Sequence, residues 1–544
     1  MALAIRCNVK HDLCRQRGTI VTRLVLAVLF GLAGGCPAIS QDRSPLEVAF
    51  EDAQLATAPG AGLALADGAA RIAARDPGLR EAFEAHRAAE QTRRALETVM
   101  ATLRAQGAPA AERARGVASD LDRATAAAQA SRDRLDSVYP AFGDLTDPTP
   151  LSITEVQALL KPGEGLVVIL PTDRATYVWA VTADSAVWRR SDLTASDVAN
   201  DAARLQAGLS GVGGRGAVDA ARPVRAGAGF DRATAYRLYQ ALWAPVVESL
   251  SEVHTLYLVV DGPLRAVPPG VLVTALPTGD DSDPSALRAT AWLQRRYAFA
   301  LLPTVTSLRA VQRTNTGDSR GFAGFGDADT DAYPAGSTAK ALAPLPGAGR
   351  ELRALSRAMR SGGRSLKLGA EATEAAVKSA QLSDVSVVAF AMHALPMKEA
   401  DDPNQEPALV FTPPAQPQGD DDGVLTASEA AQLQLKADLV ILSACDTAQD
   451  DPQALGVNSL SRAFFYAGAR SLLVSNWRIR DDVAERLSVR TVTLAQRNRA
   501  AVADALQRAS LEMMNDRSDP SFAHPAQWAA FSVLGDGAVR LPGR

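Results

Sequence analysis

Apolar residues change their spacing near residue 150 of this 544-residue chain. Before that point they recur at helical intervals. Val117, Leu121, Ala124, Ala128, Ser131, Leu135 and Val138 alternate steps of four and three, which is a heptad seam. Leu79, Phe83, Leu96, Val99 and Leu103 support a similar face, and Gln106-Gly107-Ala108-Pro109 breaks the run. The pattern predicts an antiparallel helical hairpin over residues 71–140. Residues 41–70 are rich in Ala, Gly and Pro with no period and are expected to form a weakly ordered linker.

After residue 150, short apolar runs alternate with helical segments. Gly165–Leu170 and Tyr177–Val181 predict a strand hairpin, and Leu256–Val260 predicts a buried strand running into the turn Asp261-Gly262-Pro263. Helices are predicted over 191–210, 230–250, 350–359, 372–379, 426–433 and 458–467, with two more at the C-terminus. Gly321–Gly326 begins another unit, and further strands are predicted at 385–392, 437–445 and 471–475. Strands alternating with helices at this spacing indicate an α/β fold whose sheet is largely parallel and covered on both faces. Sites in such sheets form at the carboxyl ends of the strands.

Composition bounds the function. The chain is 47% apolar and 22% charged with a net charge of −4, so it is globular and has no basic excess that would suggest nucleic acid. Residues 1–40 read as an export signal or short anchor. Arg15, Arg17 and Arg23 precede the apolar stretch Leu24–Ala33, and Ala38-Ile39-Ser40 offers small residues for cleavage before Gln41. Cys36, in Ala33-Gly34-Gly35-Cys36, is a rival lipidation site. The expected location is therefore exported, periplasmic or membrane-anchored, with a cytoplasmic chain as the alternative. Three of the four cysteines, Cys7, Cys14 and Cys36, lie in this segment, which leaves Cys445 as the lone thiol of the mature body.

Cys445 ends the run Ala437–Ala444, and His393 ends the run Val385–Met392. Two buried strands delivering a thiol and an imidazole from their carboxyl ends predict a Cys-His dyad. No cofactor and no metal are required. Gly211–Gly216 matches a dinucleotide-loop pattern but lacks the preceding strand. Asp327–Asp331 begins like a calcium loop, yet Ala332 and Thr338 occupy the Gly and Glu positions. Asp420–Gly423 reads as a solvated acidic turn. His524, before Pro525, reads as a structural or surface group.

Taken in order, several motifs resemble the CHAT-domain family, caspase-like cysteine peptidases often joined to tetratricopeptide repeats. They include Val260-Asp261-Gly262-Pro263-Leu264, Leu302-Pro303-Thr304, Gly369–Glu374, His393, Asp422–Ala427, Leu442–Thr447, Arg462–Arg470, Val474–Trp477 and Trp528–Phe531. The resemblance implies a caspase/separase-like fold, with 150–315 as a catalytically empty half and 320–541 as the active half. It implies His393 as general base and acid, Cys445 as nucleophile, and the backbone N–H groups of Ala394 and Cys445 as the oxyanion site. It also implies that Trp477 and Asp481 belong to a substrate-binding loop, with Asp481 selecting Arg or Lys before the cleaved bond. The family commonly carries glycine where this chain has Ala394. The expectation is an exported, bacterial-type cysteine endopeptidase acting on protein substrates, with the hairpin serving either to dock a protein regulator or to brace the rest of the protein. The alternative is a weakly active or inactive CHAT-fold interaction module.

Overall fold

The computed structural model describes residues 44, 46–55, parts of 81–100, 111–138, 150–210, 229–312, 319–334, 337, 339–359, 362–395, 407–416, 421–443 and 459–543. The segment 1–40, the turn 106–109, the loop 211–216 and Cys445 lie outside these residues. The chain forms two compact units, Met1–Ser152 and Ile153–Arg544.

In the first unit, α1 is a helix of 28 residues, Ala111–Val138. Ala124 and Ala128 are buried, and Val117, Leu121 and Ser131 are half-buried, while most of the other described side chains are exposed. Burial therefore follows the heptad seam. Residues 46–55 are helical, and the Gln54 amide holds both backbone groups of Leu151, accepting its N–H at 2.9 Å and donating to its carbonyl at 2.8 Å.

The second unit is built on an 11-stranded sheet. Its strands are β1 (Glu164–Pro171), β2 (Thr176–Thr182), β3 (Ala186–Ser191), β4 (Thr255–Val260), β5 (Ala298–Leu301), β6 (Phe322–Gly326), β7 (Arg364–Leu368), β8 (Val387–Ala391), β12 (Leu439–Leu442), β13 (Ser471–Ser475) and β14 (Phe531–Gly535). They lie in the order β3-β2-β1-β4-β5-β14-β13-β12-β8-β6-β7. Three short strands, β9 (Ala394–Leu395), β10 (Ala408–Val410) and β11 (Val424–Thr426), form a separate sheet. The large sheet is mostly parallel; its antiparallel pairings are β1–β2, β2–β3 and β13–β14. Every residue of β1, β8, β12 and β13 is buried, so helices cover both faces, as continuous apolar runs require.

β14 joins the two halves. It runs parallel to β5 and antiparallel to β13. β1, β3, β4 and β5 therefore run opposite to β13, β12, β8, β6 and β7, with β2 alone among the first five reversed, and the carboxyl ends of the two sets leave opposite rims of the sheet.

Two helices bear on the site. α2 (Pro346–Ala358) starts with Pro at its first turn and buries Gly347, Glu351, Leu352 and Leu355. It begins one turn earlier than the apolar pattern predicts, because Pro346-Gly347 reads as a turn in sequence. α3 (Asp481–Asn498) buries Val483, Ala484, Leu487, Ser488, Thr491 and Val492 at helical spacing, with Asp481 and Asp482 favourably placed in its first turn. The predicted helix over 230–250 divides into an α-helix to Leu238, a π-turn at Tyr239–Trp243 and a 3₁₀ turn at Val247–Leu250.

Candidate active site

β8 delivers His393 two residues beyond its end. There the chain leaves the large sheet and enters β9. The His393 carbonyl accepts the Val410 N–H at 2.9 Å, and Ala394 is in register with Leu409 of β10. His393 is thus held between two sheets, with its ring half-buried. Its Nε2 lies 2.6 Å from the Ala343 carbonyl oxygen, in the loop leading into α2. A carbonyl can only accept, so Nε2 carries the hydrogen and Nδ1 is the basic nitrogen of the neutral ring. Ala394 is 8% exposed, and the non-glycine residues with positive φ among those described are Asp327 and Arg499. An alanine therefore fits the ordinary strand backbone that follows the histidine.

β12 is the neighbouring parallel strand. Leu442 is in register with Phe390, and the Ser443 N–H donates to the Phe390 carbonyl at 2.9 Å. Cys445 follows two residues later in the chain.

Sequence reasoning missed the group that ties this strand end to the helices. Glu351 is fully buried in α2 and accepts hydrogen bonds from Ser443 Oγ at 3.0 Å and from Ser488 Oγ of α3 at 2.8 Å. The available signal was a glutamate interrupting the small and apolar stripe Gly347, Glu351, Leu355 at steps of four. The Ala343 carbonyl had no sequence signal, being a backbone atom in a loop.

Asp481 faces the start of α2. Its Oδ2 accepts the Gly347 N–H at 2.9 Å, and a Cβ at Gly347 would lie 2.2 Å from that oxygen. Asp327, at the carboxyl end of β6, is raised above its ordinary pKa by burial, with Arg353 opposing and the nearby Asp481 reinforcing the shift. Two carboxylates therefore flank the amino end of α2, beside the loop that holds His393. Trp477 is 4% exposed and donates its indole N–H to the Ala526 carbonyl at 2.9 Å, so it anchors its own segment.

The remaining sequence features are structural. Asp329 caps the Asp331 N–H at 3.0 Å, and Lys340 pairs with Asp331 at 2.9 Å, so this loop satisfies its acids internally. In the acidic turn, the Asp422 and Gly423 N–H groups both donate to Glu374 Oε2 at 3.0 Å. Gly423 has φ +87°, and a Cβ there would meet Pro413 and the Tyr333 hydroxyl at 2.7 Å. His524 is buried. Its Nδ1 accepts the Ala526 N–H at 3.2 Å, and burial pushes its pKa down to about 4. Among the described residues no group of His, Cys, Asp and Glu side chains is arranged to hold a metal ion, and no helix is long and apolar enough to cross a membrane.

Tetratricopeptide repeat protein 28 of Homo sapiens is 30% identical over 139 residues, 26% of this chain. The match spans only 5% of that protein's length. Among solved structures, a separase–securin complex of Saccharomyces cerevisiae superposes with TM-score 0.42 at 9% identity, covering 79% of this chain and 34% of that one. The Arg-specific cysteine proteinase gingipain R covers 53% of this chain and 64% of its own, with TM-score 0.33 at 9% identity. The CHAT domain family model matches residues 232–536, a span that takes in β4 to β14, His393, Glu351 and Asp481. This chain belongs to the CHAT domain family.

Proposed function

We propose that this chain is a cysteine endopeptidase in which His393 and Cys445 form the catalytic dyad. The observation that carries the reading is the orientation of His393. Its Nε2–H donates to the Ala343 carbonyl, which makes Nδ1 the basic nitrogen of the neutral ring, at the end of a strand paired in register with the one that leads to Cys445. In this reading Nδ1 takes the thiol proton and the thiolate attacks the scissile carbonyl carbon, forming a C–S bond. The backbone N–H groups of Ala394 and Cys445 receive the oxyanion. Collapse breaks the C–N bond as His393 returns its proton to the leaving amine. A water then hydrolyses the thioester with His393 as base, releasing the acid and restoring the thiol.

Asp481 supports a preference for Arg or Lys before the cleaved bond, since it brings negative charge beside the His393 loop. A panel of peptides varied at that position tests this. Equal or better turnover of Asp peptides would sink the basic preference. Residues 1–40 are read as an export signal, which a mature N-terminus at Gln41 would support. The hairpin is read as the docking arm of a protein regulator.

The decisive experiment compares wild type with Cys445→Ala and His393→Ala on proteins of the same cell, scored by new N-termini. The expected result is cleavage by wild type alone. Cleavage retained in Cys445→Ala would refute the dyad. A second reading, a CHAT-fold interaction module, is favoured by Ala394 at the family's glycine position and by a curated relative named for its tetratricopeptide repeats. It predicts a Cys445 thiol that alkylates slowly at neutral pH whether or not His393 is present.

A further inference from the structure

We propose that Glu351 is a positioning residue for the Cys445 segment, resting on the peptidase reading above. The first ground is where its hydrogen bonds go. Ser443 is already fixed through its backbone N–H to Phe390 and is fixed again through its hydroxyl to Glu351. The chain reaches Cys445 in two further residues. One bond sets the height of the strand end against β8; the other ties it to the layer of α2 and α3.

The second ground is the burial of a carboxylate. A wholly buried acid is costly to desolvate, and a well-packed apolar side chain of similar volume is often neutral or stabilising in its place. Fold stability alone is therefore a poor reason for an acid here. What an acid supplies is direction: two oxygens, each taking a hydroxyl from a different element.

The third ground is convergence on one helix. The loop before α2 holds His393 through Ala343, its first turn holds Asp481 through Gly347, and its second turn holds Ser443 through Glu351. Gly347 meets Asp481 and Glu351 meets Ser488, so α2 and α3 run in the same direction with the carboxylate between them and the end of β12. A displacement of α2 would move the base and Ser443, at the end of β12, together. Loss of Glu351 would free the Ser443 hydroxyl from this bond while Ala343 still orients the base.

The test uses the full chain and a peptide that wild type cleaves. It measures kcat, KM, the His393-dependent alkylation rate of Cys445 and the unfolding midpoint for Glu351→Ala, Glu351→Gln and Ser443→Ala. Because small misplacements of a reacting group are expensive in rate, Glu351→Ala and Ser443→Ala are expected to lower kcat and the alkylation rate by about tenfold or more, with KM nearly constant. Glu351→Gln is expected to recover most of the rate, since its amide accepts from one serine and donates to the oxygen of the other. A merely structural role predicts lower midpoints with kcat per folded molecule unchanged, and that result overturns the proposal. If Glu351→Ala does not fold, Ser443→Ala at the wild-type rate has the same force. A wild-type thiol that neither cleaves nor responds to His393 overturns the peptidase reading, and this proposal falls with it.

Discussion

The two halves of the large sheet finish their strands in different chemistry. Where β1 and β4 end, the space between strand and loop is lined by Ile169, Leu238, Leu242, Trp243, Val260 and Leu264, all apolar. Where β6, β8 and β12 end, on the opposite rim, the side chains are Asp327, His393 and Ser443, backed by Glu351 and Asp481. Both rims are built on buried parallel strands, and the first also carries charge, since Asp261 just after β4 pairs with Arg265 at 3.4 Å, so strand architecture alone does not set the rims apart. The difference lies in what the following segment brings. After β4 it is Gly262–Ala266, a 3₁₀ turn that closes the rim with Leu264 and Ala266. After β8 it is a two-residue strand that holds a ring half-exposed.

That contrast can be broken most severely at His393. His393→Ala is expected to lower peptide turnover by about 10²–10⁴-fold, with a small change in unfolding midpoint, measured by steady-state kinetics and denaturant titration. Trp243→Ala should do the reverse. The ring is 1% exposed in the apolar half, so its loss is expected to reduce stability by about 3–5 kcal/mol while turnover per folded molecule stays near wild type.

His524 probes the junction, where its ring meets Phe230 edge-on with centroids 6.3 Å apart. Burial lowers its pKa from the ordinary 6.5 to about 4, so between these values the unfolded chain binds the proton and the folded chain does not. Stability is therefore complete above about pH 6.5 and is lost as pH falls towards 4, by on the order of 3 kcal/mol at most. Buried Asp536 and Asp438, whose pKa values burial raises, act in the opposite sense, so the readout is the difference between wild type and His524→Asn. The asparagine can still cap Ala526 and is expected to remove that part of the slope.

The smallest expected effect is at Gly347. Its added methyl would press on the Asp481 carboxylate, costing about 1–3 kcal/mol and raising KM for Arg or Lys peptides more than for neutral ones. An unchanged KM ratio would separate Asp481 from substrate selection.

The same contrast explains what could be read from sequence. β1, β4, β8, β12 and β13 are unbroken apolar runs buried on both faces, and each was legible. β5 and β14 were not. Ala298–Leu301 has only four residues, and Phe531–Gly535 follows a short helix, ends in glycine and reads as part of the helical C-terminus. Both become strands by pairing with neighbours distant in sequence, which local pattern does not carry. The place of His393 just beyond a buried strand was legible because it ends such a run. Its partner atom belongs to the backbone of a loop, and Glu351 looks like a solvent-facing charge until α2 is packed against α3.

Because β14 is hydrogen-bonded on both sides, the middle of the sheet has no free edge to offer a second chain. Among the described residues β3 and β7 are the two extremes of the order, and these carry Arg189 and Arg190 on one and Arg364 and Lys367 on the other. Arg190 pairs with Asp192 and Lys367 with Glu371, so each edge presents charged groups of both signs. Long basic side chains on an outermost strand hinder another strand from pairing there, so the large sheet is closed to extension in its middle and blunted at both ends of its order.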